Sequence, residues 1–153
     1  MHISARIFKS VFASIVVALL GALPAVAEKP VNTNWRGLAI KGYDTVAYFE
    51  LGVPQAGSGD YELEWEGATW RFSTAEHKAK FGANPEKYAP QYGGYCAWAV
   101  SNDYTAPVDP EAWKIVEGKL YLNYSHKVKA NWEKEMAKNI RKADGFWPKL
   151  RDN

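Results

Sequence analysis

The run from Trp70 to Cys96, WRFSTAEHKAKFGANPEKYAPQYGGYC, constrains the fold more than any other part of the chain. Trp70-Arg71-Phe72 has the alternation of a strand end. Ser73 followed three residues later by Glu76 is a capping box, in which each side chain serves a backbone N–H at the start of a helix. A helix is therefore predicted from Thr74 to about Phe81-Gly82. Pro85 stops any continuation of that helix but suits the first position of another, so a second short turn of helix is expected through Tyr88. Gly93-Gly94 then marks a turn before Cys96.

On either side the pattern is mainly that of short strands. Val46-Ala47-Tyr48-Phe49 reads as a strand ended by Gly52 and Pro54. Tyr61–Trp65 and Ala68–Phe72 form a hairpin around Glu66-Gly67, whose glycine supplies the positive φ of a tight turn. Tyr95 to Val100 reads as a strand with Cys96, Trp98 and Val100 on one face, and Ser101 to Asp109 as a polar loop. A second hairpin, Trp113–Val116 and Leu120–Tyr124, turns on Glu117-Gly118. From Ser125 to about Ala143 the apolar residues Val128, Trp132, Met136 and Ile140 recur at four-residue intervals, which predicts a helix with one face on the sheet. Its outer face carries Lys127, Lys134, Lys138, Arg141 and Lys142 and reads as a solvated surface before it reads as an anion or partner site. Asp144-Gly145 should end that helix, with Phe146-Trp147-Pro148 folding back onto the core. The chain reads as free of internal repeats and low-complexity tracts. The expected class is α+β, with antiparallel hairpins and a short sheet packed against a short central helix and a long C-terminal helix.

The first residues read as an address. Arg6 and Lys9 precede an apolar run from Val11 to Leu23, and Ala25-Val26-Ala27 is an A-x-A cleavage site. Residues 1–27 are thus expected to be a cleavable signal peptide and 28–153 one domain, periplasmic or secreted. The apolar run falls short of the roughly 20 residues that cross a bilayer, so no stable membrane anchor is expected. No twin arginine precedes it, which points to export of the unfolded chain.

Charge and cysteine content narrow the function. Two of the 19 Lys and Arg residues and none of the 17 acids lie in the leader, which leaves residues 28–153 without net charge. A nucleic-acid binder would carry a basic excess. An enzyme is disfavoured too: there is no nucleophile beside a base, no paired catalytic carboxylates at a motif spacing, no glycine-rich phosphate loop and no H-E-x-x-H. Cys96 is the single cysteine, so no internal disulfide forms, and its thiol is a buried small apolar group, an interchain partner, or a metal or redox ligand.

Gly42-Tyr43-Asp44-Thr45-Val46-Ala47-Tyr48-Phe49 resembles the "GYDPVAYF" signature of the longer, secreted members of the YHS domain family. The likeness continues through Phe72, Phe81, Pro85, Tyr88 and Gly93-Gly94, and the segment from Trp113 to Trp147 also looks like those longer members. Short members of that family hold a metal on paired cysteines. At the matching positions this chain has Ala47, Ser73 and His77. The resemblance implies a binding protein that handles or senses copper or zinc, with His77, Cys96 and His126 as candidate ligands and Met136 as a distant fourth; thiolate, imidazole and thioether suit copper, thiolate and imidazole zinc. For each histidine a structural or surface role is the competing reading. Asp44 is expected to cap a turn by accepting backbone N–H bonds, or else to stand at the mouth of an aromatic pocket built from Tyr43, Tyr48, Trp70, Tyr92 and Trp98. That pocket is the alternative function: a metal-free module for a small molecule or a protein partner.

Overall fold

In a computed structural model that describes residues 29–153, the chain is an α+β protein of two antiparallel hairpins and six α-helices. The signal-peptide reading of residues 1–27 lies outside the described residues. Strands β1 (Ser58–Trp65) and β2 (Ala68–Phe72) pair with Trp65 opposite Ala68, and β3 (Asp109–Val116) and β4 (Lys119–Asn123) with Val116 opposite Lys119. Both turns are left-handed at both central residues, Glu66 (φ 50°) with Gly67 (72°) and Glu117 (49°) with Gly118 (74°), as the twist of a two-residue hairpin requires. The helices are α1 (Thr45–Glu50), α2 (Ala75–Ala83), α3 (Pro85–Tyr88), α4 (Ala97–Val100), α5 (His126–Lys134) and α6 (Met136–Asp152). None of the described helices is long and apolar enough to cross a membrane.

Four local expectations are corrected. Val46–Phe49 is helical, in α1, because the Asp44 carboxylate accepts from the N–H groups of Val46 and Ala47 and starts a helix there. Cys96 stands at the N-terminal boundary of the single-turn α4, so Cys96, Trp98 and Val100 do not share a strand face. Helix α2 is capped by Thr74, whose hydroxyl accepts from the His77 N–H, leaving Ser73 free for other bonds. The C-terminal helix breaks at Glu135 (φ −132°, ψ 43°) and then runs on through Gly145 and Pro148 to Asp152. Asn139 bridges the break by donating Nδ2 to the Trp132 carbonyl at 2.9 Å. The five basic residues of the predicted outer face are all exposed.

The structure also contains a repeat. Elements β1, β2 and α2 reappear as β3, β4 and α5, each beginning and ending 51 positions later, and the caps Thr74 and Ser125 keep the same spacing. Ahead of the hairpins, Gly42-Tyr43-Asp44 and Gly94-Tyr95-Cys96 match at a spacing of 52. Both triplets enter a short helix, and the Asp44 N–H donates to Gln55 O (2.8 Å) as the Cys96 N–H does to Ala106 O (2.9 Å). Each half contributes its own core. Trp70, Phe72 and Phe81 centre the larger one, with Leu120 and Leu122 reaching in from the second hairpin; Tyr92, Tyr121 and Trp132 centre the smaller.

Candidate functional site

Asp44 is the most heavily bonded side chain of the first half. It is fully buried. Its Oδ1 accepts from Val46 N (2.9 Å) and Ala47 N (3.2 Å); its Oδ2 accepts from Ser73 N (2.8 Å) and Ser73 Oγ (2.6 Å) and lies 2.6 Å from His77 Nδ1. A neutral imidazole facing a carboxylate in this way donates from Nδ1. The three positions that the resemblance gives to metal-binding thiols, Ala47, Ser73 and His77, are thus all bonded to one carboxylate, Ala47 through its backbone. Serine and histidine meet the same carboxylate oxygen, and the Ser73 hydroxyl lies 3.5 Å from His77 Nδ1, so its proton goes to Asp44 and the imidazole is not set as its base. The cluster ties the start of α1, the end of β2 and the first turns of α2 together, and the capping role expected of Asp44 is what the structure shows.

Cys96 holds the equivalent place in the second half. Its Sγ accepts from Tyr124 N (3.3 Å) and donates to Asn123 Oδ1 (3.7 Å), which also accepts from Trp98 N (3.1 Å). Thiol and amide together therefore do for the second half what Asp44 does for the first, since Tyr124 corresponds to Ser73 and Trp98 to Val46. Burial pushes the Cys96 thiol up and keeps it protonated at neutral pH. His126 is exposed at the first residue of α5, and Met136 opens α6. Among the described residues no three His, Cys, Asp or Glu side chains converge where a metal could sit, so His77, Cys96 and His126 are not brought into one site. The bond from His77 Nδ1 to a carboxylate is one that a metal-ligating histidine also makes; what does not fit a copper or zinc centre is that the thiol is protonated and the three candidate donors stand apart.

The cavity lies elsewhere. A cleft of about 400 Å³ opens between the first hairpin and α6. Of the predicted pocket residues, Trp70 and Tyr92 line it; Tyr43, Asp44, Tyr48 and Trp98 do not. Tyr48 is buried in the larger core and donates its hydroxyl to Pro110 O at 2.8 Å, while Trp98 packs against both cores. In their place stand Trp65 from the end of β1, Glu66 from its turn, Glu86 from α3, and Asp144, Trp147 and Arg151 from α6. Asp144, Trp147 and Arg151 follow the three- and four-residue spacing of one helix face, so the signal for them was present in the sequence and was hidden by ending the helix at Gly145.

Tyr92 shapes this cleft. Its backbone is left-handed (φ 58°), as is that of Gly93 (59°). A Cβ on Gly93 would lie 2.0 Å from the Pro30 carbonyl oxygen, so only glycine lets the N-terminal segment pass. That segment is pinned there by Asn32 N to Gly93 O (2.8 Å) and Asn32 Nδ2 to Gly94 O (3.1 Å). The Tyr92 hydroxyl donates to Asp144 Oδ1 (2.9 Å), and burial followed by that carboxylate pushes its pKa up, so it remains a neutral donor. Its ring meets Trp147 edge-on at 6.1 Å, and Trp65 meets Trp70 edge-on at 5.7 Å. The result is an aromatic cleft with three carboxylates and one guanidinium among its lining groups.

No known protein family, no curated protein and no solved structure matches this chain.

Proposed function

We propose that this chain is an exported binding protein of the YHS type whose ligand is an organic group seated in the cleft between the first hairpin and α6. The observation that carries the reading is the lining itself: the half-buried rings of Trp65 and Trp147 supply apolar surface backed by the buried Trp70 and Tyr92, and a few polar groups fix orientation, which is how small-molecule sites are built. The volume lies within the usual range for such sites. The metal reading has less support, because the family's ligand positions are bonded to Asp44 and the other candidate donors stand on separate elements. Export rests on the leader pattern of residues 1–27.

The test is quenching of intrinsic tryptophan fluorescence by a panel of single-ring aromatic and branched aliphatic probes. Saturable binding by one or more of them, lost in Trp147→Ala while the melting temperature holds, is the expected result. Binding that survives Trp147→Ala, or no binding by these or by charged organic probes, would overturn it. Export predicts an N-terminus at Glu28 in protein recovered outside the cytoplasm, and an intact leader there would contradict it.

A further inference from the structure

We infer that the cleft selects an organic cation, an ammonium or guanidinium group on a small apolar body. This rests on the binding reading above and narrows its ligand class.

The charge around the cleft is one-sided. Glu66, Glu86 and Asp144 line it against a single cation, Arg151, although residues 28–153 as a whole carry no net charge. Several carboxylates elsewhere are matched, among them Glu50 and Glu76 with Lys80, Glu62 with Arg71 and Glu133 with Lys114 and Lys129. Asp60, Glu111 and Glu117 share with the cleft carboxylates the lack of an ion pair among the described residues, so it is the gathering of three around one cavity that sets the cleft apart. Among the described residues none of the three cleft carboxylates lies in an ion pair, and Arg151 does not close on them. Asp144 accepts from the Tyr92 hydroxyl through Oδ1 and lines the cleft beside it. Glu66 is held at the tip of a rigid two-residue turn, at positive φ, directly after Trp65.

The rings act in the same direction. An aromatic face carries negative quadrupole charge and attracts a cation that is weakly hydrated, and tryptophan does so best. Both half-buried rings of the lining, Trp65 and Trp147, are tryptophans. An anionic ligand would meet the same rings with the sign reversed and three carboxylates besides. A neutral ligand would gain ring contact but nothing from the charges. The pairing of indole faces with unmatched carboxylates thus favours a cation whose charge is spread over methyl groups or a planar guanidinium, which loses little hydration on entering.

The experiment compares choline with 3,3-dimethylbutan-1-ol, which has the same shape and hydroxyl and differs in charge, and with methanesulfonate as an anion. Each is titrated against the purified protein at low salt. The expected result is saturable binding of choline at least about tenfold tighter than the alcohol, no binding of the anion, and a preference that shrinks as salt is raised. In the double variant Glu66→Gln, Glu86→Gln, choline should fall to within about threefold of the alcohol. Equal affinity for choline and the alcohol, or a preference that the double variant leaves intact, would overturn cation selection while leaving the cleft a binding site. If no probe in this set or the aromatic panel binds, both readings fall; if only neutral or anionic probes bind, the cation inference alone falls.

Discussion

Asp44 and Cys96 show how the same backbone demand is met by different chemistry. Asp44 satisfies N–H groups of α1 and Ser73 with a charge, and a hydroxyl and an imidazole complete its shell. Replacing it by alanine strips acceptors from several buried donors at once, so Asp44→Ala should destabilise the fold by about 3 kcal/mol in a denaturant titration. A loss below about 1 kcal/mol would mean that the hub is dispensable. Cys96 does the corresponding work as a neutral thiol, buried and shifted away from the thiolate. Alkylation at pH 8 should therefore be slower in the folded protein than in denaturant by a factor on the order of a hundred. Comparable rates in the two states would contradict the buried, protonated thiol. That Asp44 accepts backbone N–H bonds was legible because aspartate at a chain turn commonly does so, whereas its place at a helix start was not, since Val46–Phe49 reads as a strand. Nor was the bonding of His77 to Asp44, since 33 residues and a hairpin separate them.

The elements that sequence reading recovered are those with explicit punctuation. Both hairpins turn on Glu-Gly, α2 follows a hydroxyl cap, and α3 begins at Pro85. Helices α1 and α4 were missed for one physical reason. Thr45 to Tyr48 are buried on every side, as are Ala97, Ala99 and Val100, and a short run buried all round carries neither the twofold period of a strand nor the helical one. The repeat escaped notice because the shared identities are confined mostly to turns and caps, where the backbone demands them, while the cores diverged. Equivalence can be tested at those points. Gly67→Ala and Gly118→Ala should each cost about 1 kcal/mol, because a Cβ at either meets nothing and the backbone conformation is the sole penalty. Thr74→Ala and Ser125→Ala should likewise each cost about 1 kcal/mol. Gly93→Ala should cost clearly more than either turn glycine, since its Cβ would collide with Pro30 O. Chemical denaturation of the five variants reads these differences, and a Gly93→Ala loss no larger than that of Gly67→Ala would remove the N-terminal segment from its place beside the cleft.

At the scale of the whole molecule, two aromatic cores and the cleft between hairpin and C-terminal helix set the behaviour. Tyr48, Tyr92 and Tyr121 are all held above the ordinary tyrosine value of 10.0 by burial, Tyr121 to about 12. In the unfolded chain these phenols ionise near pH 10, while in the fold they keep their protons, so the unfolded state is favoured as pH rises from there. Their contribution to stability is complete below pH 10 and shrinks above it. The melting temperature should fall from about pH 10 upward; a flat profile to pH 12 would contradict their burial. The central claim is that the cleft, and not the cluster around Asp44 or Cys96, is where this protein meets its ligand. The most direct measurement is a two-dimensional ¹H–¹⁵N spectrum of the purified protein titrated with choline. The account predicts that the largest shifts fall on the indole N–H groups of Trp65 and Trp147 and on the backbone amides of Glu66 and Gly93, with His77 and Cys96 undisturbed. Shifts centred on Ser73, His77 or Cys96 would contradict it, as would a spectrum left unchanged by choline and by the neutral and aromatic probes alike.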